Sequence, residues 1–317
     1  MRVRRALRNG ALVLVALWGD RVFGDPPDNL HLVAYFGRLA GYLERHLYKN
    51  SKVAGGAVSS LSLAAVFSLL LVLERASWPF ELLTLYFSIA DSQLRDVVHE
   101  VASSIQSGDI VSARRHVQKI VGRDSGSLDE AEVLRAAFES LAENSSDGAV
   151  GPIFFGTVFG VKAAALYRAI NTMDSMFGHK SKRYKEFGFI PAKVDDIVNL
   201  IPARLTWLCA YLLSGPRERD SMRKGLKAAR QHPSPNAGVV EAAFACRFGV
   251  RVGGVNSYEG RIEERVRFGG EKEVDLQSLL DALVFERRVV DVAYLFSLIV
   301  SVVVWTLVEG RGTWEGR

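Results

Sequence analysis

Apolar and polar positions fall in long blocks along this chain. Residues 53–73 run for 21 positions without a charge, about the 20 residues that an α-helix needs to cross a bilayer core. Residues 289–308 are nearly as apolar, with Asp291 close enough to one end to reach an interface. Three weaker apolar stretches each hold one charge: 77–90 with Glu81, 148–167 with Lys162, and 197–213 with Arg204. A charge inside lipid is costly, so the segments around Lys162 and Arg204 are expected to be re-entrant or packed against protein. Arg2, Arg4, Arg5 and Arg8 precede a short apolar run at 11–18 that imitates a signal peptide, but no small-residue cleavage site follows, and the segment is read as retained.

Between these blocks the period is helical. Apolar residues recur at spacings of three and four over 95–107, 110–121 and 129–144, with Gly108-Asp109 and Arg123-Asp124-Ser125-Gly126 as breaks. The polar stretch 217–288 predicts a helix, a Pro- and Gly-containing loop, a second helix, a short strand at 251–258 and a further helix. Fourteen Lys and Arg residues lie in 214–288 and six more in 91–147, too many for every apolar block to cross if positive loops stay inside. The expected fold is mainly α: a polytopic integral membrane protein with two to five spans. It forms a single membrane domain over 1–317, carrying polar, cytoplasmic helical inserts at about 91–147 and 214–288.

Charge and composition narrow the chemistry modestly. The chain has 317 residues, 49% hydrophobic and 24% charged, with a formal charge of +5, a sign that suits nucleic acid, anionic lipid or an anionic substrate and does not choose among them; nucleic acid is not among the expected partners. Cys209 and Cys246 are the two cysteines, so no disulfide framework or Cys-based zinc site can be built. There is no Walker-type loop and no strand-linked G-x-G-x-x-G, so a nucleotide would need an unconventional site. His31, His99 and His179 are read as surface or capping residues.

Three acidic clusters border the apolar blocks. Glu139 and Glu143 share a helix face at the i,i+4 spacing, with Asn144 beside them and Asp147 following near that face. Asn171 and Asp174 lie three apart, as do Asp196 and Asn199, with Asp195 adjacent. Oxygen ligands of this kind suit Mg2+ rather than zinc, although a solvated acidic helix end would look the same. Lys180, Lys182, Arg183 and Lys185 are natural phosphate partners, and equally an ordinary basic loop. Arg204 needs a carboxylate or phosphate if buried; a salt bridge to Asp195 or Asp196 would also serve. Ser234 and Asn236 are placed to cap a helix beginning near Val239, a position that also favours anions.

Taken in order, Gly24-Asp25-Pro26, Arg123-Asp124, Glu139-Ser-Leu-Ala-Glu-Asn144 with Asp147-Gly148, Asn171-Thr-Met-Asp-Ser-Met176, Asp195-Asp196, Ile201-Pro-Ala-Arg204, Ser234-Pro-Asn-Ala-Gly238, and Gly253-Gly254 with Tyr258-Glu-Gly260 resemble the CobD/CbiB family of cobalamin biosynthesis. The likeness spans about residues 17–310, with departures at His31-Leu32-Val33, where the family usually has His-Pro-Val, and at Phe138. The resemblance implies a multi-pass enzyme of the cell membrane, an adenosylcobinamide-phosphate synthase. Such an enzyme joins the free propionate of adenosylcobyric acid to (R)-1-amino-2-propanol or its O-phosphate with ATP and Mg2+.

On that reading Glu139, Glu143, Asp147, Asp174, Asp195 and Asp196 are the expected Mg2+ ligands, with a general base among them, and Glu139, Glu143, Asn144, Asp174 and Arg204 the catalytic set. Arg123, Lys180, Arg183 and Arg204 would offset phosphate or oxyanion charge. Asn144, Asn171, Ser234 and Asn236 would contact or orient substrate. Membrane lipids and other corrinoid-pathway membrane enzymes are the expected neighbours. Two rivals stand beside it. A Mg2+-dependent prenyl or phosphoalcohol transferase would need Asp-x-x-x-Asp or Asp-Asp-x-x-Asp, whereas this chain offers Glu139-x-x-x-Glu143 and Asp195-Asp196-x-x-Asn199. A non-enzymatic membrane signalling protein of the AmpE type would keep the fold and lose the polar blocks.

Overall fold

The computed structural model describes residues 2–26, 29, 31–73, 78–178, 181–258 and 261–311. The chain opens with α1 (Arg2–Phe23), α2 (Leu32–Leu47), α3 (Lys52–Leu73) and α4 (Trp78–Ser88). It continues with α5 (Asp91–Gln106), α6 (Ile110–Gln118) and α7 (Glu130–Asn144), then a π turn over Ser145–Val150. Next come α8 (Gly151–Phe159), α9 (Val161–Phe177), α10 (Tyr184–Phe187) and α11 (Phe189–Val198), followed by α12 (Leu200–Leu212), α13 (Pro216–Ala229) and α14 (Ala237–Phe248). An antiparallel hairpin, β1 (Arg251–Tyr258) and β2 (Arg261–Gly269), leads into the long α15 (Leu276–Arg311). The chain is therefore mainly α. Its contacts divide it into two compact units, one from residues 1–90, 148–199 and 293–317, the other from 91–147 and 200–292.

In the first unit, α3 packs against α2, α9, α10 and α11. Gly55 and Gly56 make this approach possible: a side chain at Gly55 would strike the backbone of Phe187, and one at Gly56 would meet Ile190 at 2.8 Å. Phe36, Ala40, Val58, Ala169, Met173, Phe177 and Phe187 fill the resulting core. The outward face of α3 stays apolar and exposed at Val53, Leu61, Leu69 and Val72, and so does the later half of α15 at Leu295, Ile299, Val303 and Leu307. Lys52–Val72 and Leu276–Val308 are the two described helical stretches long and apolar enough to cross a membrane. The weaker stretches break up instead. Gly160, at φ +99°, divides 148–167 between α8 and α9. Asn199 separates α11 from α12, and the 13 residues of α12 span about 20 Å at 1.5 Å per residue. The part of 77–90 that is described forms α4, 11 residues long; Ser77 lies outside the described residues. His31 caps α2, its Nδ1 accepting from the Val33 N–H at 3.1 Å.

The second unit is built around α7. Asp129 and Glu132 form a reciprocal capping box at its start, at 2.8 and 3.1 Å, and Val133, Leu134, Ala136, Ala137, Phe138, Leu141 and Ala142 bury most of its circumference. The small residues of α14 let it pack against α7, α12 and α13; a side chain at Gly225 of α13 would meet Cys246 Sγ at 2.8 Å. The pairing of β1 with β2 runs from Arg251 opposite Gly269 to Tyr258 opposite Arg261, with an irregularity between Val252 and Gly254. Here Gly253 and Gly254 adopt φ of +82° and +104°, a backbone that L-residues with a Cβ avoid. Strand β1 occupies the predicted 251–258, whereas β2 falls where the sequence pattern pointed to helix.

Candidate functional site

The second unit holds a buried charged centre. Arg123, in the turn after α6, donates from Nη2 to Glu139 Oε2 at 2.5 Å and from Nη1 to Asn256 Oδ1. Arg135, one turn before Glu139 on α7, donates to Glu139 Oε1 at 3.2 Å, to the Gly253 carbonyl at 2.8 Å and to the Val255 carbonyl at 3.0 Å. The Gly253 N–H completes the set, donating to Glu139 Oε1 at 2.8 Å. A side chain at Gly253 would collide with the Val266 carbonyl, so the glycine bulge is what brings this N–H onto the carboxylate. Asp124 clamps the same strand: its N–H donates to the Ser257 carbonyl at 2.8 Å, and Ser257 Oγ donates back to Asp124 Oδ2 at 2.7 Å.

Burial alone would push the Glu139 carboxyl up, but Arg123, Arg135 and the Gly253 N–H outweigh it and hold Glu139 below the ordinary range. One turn along, Glu143 goes the other way: burial raises it, Arg265 opposes and Glu139 adds to the rise. Glu241 of α14 is raised well above the ordinary range by burial and by the charges of Glu139 and Glu143. Arg265 of β2 donates to Tyr258 Oη at 2.6 Å and to Glu263 Oε1 at 3.3 Å. Burial raises the Tyr258 phenol, and burial with Arg265 lowers His232. The chemical content is one neutralised carboxylate, two carboxyls that resist ionisation, and three guanidiniums in an interior of reduced dielectric, where charge interactions are strong.

The remaining predicted residues lie in several places. In the second unit, Arg204 donates to Asn236 Oδ1 at 2.5 Å and to the Pro235 carbonyl at 3.2 Å. Asn236 therefore makes no side-chain cap on α14; Ser234 Oγ accepts from the Asn236 and Ala237 N–H groups, both at 3.2 Å, and fulfils that role. Asn144 turns back onto the Ser140 carbonyl at 2.9 Å, and Asp147 sits in the π turn.

In the first unit, buried Asp195 accepts from Asn199 Nδ2 at 2.8 Å, with Asn171 Nδ2 at 3.5 Å, and Tyr167 donates to Asn199 Oδ1 at 2.5 Å. This network ties α9 to α11. Asp196 pairs with Lys193 at 2.8 Å, and Arg183 pairs with Glu44 at 2.6 Å while stacking over Tyr48. Asp174 accepts the Gly178 N–H at its backbone carbonyl, at 2.6 Å. Lys180 and His179 lie outside the described residues. Among the described residues, no three His, Cys, Asp or Glu side chains form a group able to hold a metal ion.

Sequence reasoning passed over Arg135, His232, Glu241, Asn256 and Arg265. A signal existed for Glu241, an acid in the otherwise apolar run Ala-Gly-Val-Val-Glu-Ala-Ala-Phe-Ala, because an unpaired charge is not buried without cause. Arg135 was visible as the i−4 partner of Glu139. Asn256 and Arg265 depend on the hairpin register and carried no local signal.

Comparison with known proteins bears on the whole chain. The family model described as CobD/Cbib protein matches residues 13–285. A protein named cobalamin biosynthesis protein CobD from Halalkalibacterium halodurans is 36% identical over 286 residues, 86% of this chain and 90% of that protein. One of the same name from Geobacter metallireducens is 40% identical over 80% of this chain and 84% of its own length. Another from Rhodobacter capsulatus reaches 47% over 59% and 56% respectively. No solved structure matches the chain. With a family model matching most of its length and relatives that it covers nearly end to end, the chain belongs to the CobD/CbiB protein family.

Proposed function

We propose that this protein is the amide-forming enzyme of cobalamin assembly, an adenosylcobinamide-phosphate synthase acting in the cell membrane. It joins the free propionate of adenosylcobyric acid to (R)-1-amino-2-propanol or its O-phosphate with the help of ATP. The observation that carries this reading is the convergence of Arg123, Glu139, Glu143 and Gly253, from three separate blocks of the family resemblance, on one buried centre. The family's named role in cobalamin biosynthesis supplies the pathway. The exposed apolar faces of α3 and α15 support a multi-pass arrangement in contact with lipid, where other corrinoid-pathway enzymes would be neighbours.

A carboxylate is a poor electrophile, and ATP supplies the phosphoryl group that turns it into an acyl phosphate. The guanidiniums of Arg123, Arg135 and Arg265 offset the negative charge of carboxylate and phosphate as they enter a dry interior. Glu143, held above the ordinary carboxylate range by burial, is suited to take a proton near neutral pH. The carboxylates here do not form a protein-built Mg2+ site: Glu139 is engaged by two guanidiniums and a backbone N–H, and no metal-binding group occurs among the described residues. Mg2+ belongs to this proposal as a companion of the triphosphate, and no step above depends on it. Within the first unit, Asp174, Asp195 and Asp196 are proposed as a separate set of substrate contacts, with Arg183 and Lys180 for phosphate.

The test is amide formation by detergent-purified protein given adenosylcobyric acid, ATP, Mg2+ and each amine in turn, followed by product mass and phosphate release. Glu143→Gln is expected to lower kcat by about 10²-fold or more while the protein still melts cooperatively. Wild-type protein of native quality that consumes neither amine would overturn the synthase reading.

A further inference from the structure

Where α8 gives way to α9, the first unit leaves a buried donor unmet. Gly156 and Gly160, one turn apart, let α1 come close to α8: a side chain at Gly156 would meet Val13 at 3.0 Å. One at Gly160 would meet Asn9 first, its Nδ2 at 3.4 Å, so the glycine leaves room there for one oxygen atom within reach of the amide. Asn9 is only 6% exposed, and its Nδ2 is buried with no hydrogen-bond partner among the described residues, a costly state for an amide. The same place is the start of a 17-residue helix. α9 follows Gly160 with no side-chain cap, and Ala163 and Ala164 both donate to the Gly160 carbonyl, at 3.0 and 3.3 Å, so the Val161 N–H precedes the helix ladder. The partial positive charge of a helix N-terminus and the Asn9 donor therefore come together.

Cations flank this junction. Arg5, one turn before Asn9 on α1, lies over the Trp305 ring at 5.0 Å, and Trp305 Nε1 donates to the Val158 carbonyl at 3.1 Å, which anchors the guanidinium beside the end of α8. Arg4 and Arg5 are exposed, and neither pairs with a carboxylate among the described residues. Lys162 is the second residue of α9. Glu81 of α4 is met by Arg8 at 2.5 Å. Apolar side chains border the same end, with Leu7 of α1, Phe159 of α8 and Leu307 of α15 all exposed.

We infer that the α8–α9 junction binds the headgroup phosphate of an anionic phospholipid, with Asn9 Nδ2 and the N-terminus of α9 as donors and Arg5 as the principal countercharge. The chemistry follows from the surroundings. A phosphate diester offers acceptor oxygens, no donor and one negative charge, which answers an unmet N–H, a helix N-terminus and unpaired guanidiniums. Leu7, Phe159 and Leu307 favour a phosphate that carries hydrocarbon over one free in solution, because acyl chains cover exposed apolar surface. A zwitterionic headgroup suits the place less well, since its cation would be pressed against Arg4, Arg5 and Lys162. A lipid seated here fills the hydrogen-bonding deficit of Asn9 and pins α1 to the start of α9.

The test uses the full-length protein, purified in detergent and stripped of lipid. Dioleoylphosphatidylglycerol is the probe, dioleoylphosphatidylcholine the zwitterionic control and inorganic phosphate the control without acyl chains. Native mass spectrometry reads the lipid retained, and thermal unfolding reads the rise in Tm that binding confers. Wild type is expected to hold phosphatidylglycerol about 10-fold more tightly than phosphatidylcholine, and the double variant Arg4→Gln, Arg5→Gln to lose most of that preference, as for loss of hydrogen bonds to a charged group. Asn9→Leu separates a ligand contact from packing. It removes an unmet donor, so without lipid it should melt no lower than wild type, yet phosphatidylglycerol should raise its Tm less. Equal affinity of wild type for the two lipids would overturn the site, as would a preference that survives in either variant. Stabilisation by inorganic phosphate equal to that by phosphatidylglycerol would overturn it too, by making a soluble anion the ligand. Should Asn9→Leu fail to fold, the exposed arginines carry the comparison, and Arg5→Lys, which keeps the charge, should retain the preference that the double variant loses. Neither readout involves amide formation, so the result stands apart from the synthase reading.

Discussion

Glu139 accepts from two guanidiniums and a backbone N–H, whereas Glu241, in the same interior, meets only the charge of its neighbours. The difference has a consequence for stability. Unfolded chain releases the Glu241 proton in the ordinary carboxylate range, while the folded protein, in which burial raises the carboxyl, holds it to higher pH. Over that interval the folded state binds more protons, so this contribution to stability is fully present at low pH and is lost as pH rises through the folded value. Glutamine has no proton to lose. The Tm of Glu241→Gln relative to wild type is therefore expected to climb as pH rises above the ordinary carboxylate range; parallel Tm curves would contradict it. At this scale the sequence displayed Arg123, Glu139 and Glu143 openly, because a buried ion pair and its i,i+4 neighbour sit close together in the chain. Glu241 stood out only as a lone acid in an apolar run, its neighbours Glu139 and Glu143 lying more than 90 positions away, and Arg265 was concealed because its part depends on the hairpin that holds it against Tyr258.

The glycine pair of β1 decides whether Glu139 finds its backbone donor. Gly253 combines a φ of +82° with a Cβ position that the Val266 carbonyl already fills, so Gly253→Ala is expected to destabilise the protein by more than about 1 kcal/mol. It should also displace the N–H from Glu139 and lower kcat. Urea unfolding together with the amide assay would check both effects, and a variant with wild-type stability and rate would show that the bulge is dispensable. The start of α7 was legible in the sequence, where the Asp129 capping box opens it, whereas α14 opens at Ala237 rather than near Val239, with Ser234 and not Asn236 meeting its first N–H groups. Strand β2 was not legible, because Arg-Ile-Glu-Glu-Arg-Val-Arg-Phe is rich in residues that favour helices. Pairing with β1, a tertiary effect, overrides that preference. Likewise, the break at Gly160 reads as one more small residue in an apolar run until its left-handed backbone is seen.

For the molecule as a whole, exposed apolar surface on α3 and on the later half of α15 predicts that the protein stays with the membrane fraction through high-salt and alkaline washes and leaves it only with detergent. Release by salt alone would favour an electrostatically held, peripheral protein. Residues 91–147 and 200–292 gather into one unit while 1–90, 148–199 and 293–317 gather into the other. Each unit is thus sewn from separated pieces of chain, and α15 supplies residues to both. This order of segments bears on biosynthesis. A nascent chain that has emerged only as far as α14 has neither unit complete, however much helix it has formed, so cooperative folding must wait for α15. Early-made helices then present unfinished apolar faces for most of translation, and a truncation placed anywhere before α15 is expected to yield aggregation or degradation rather than half of a working protein.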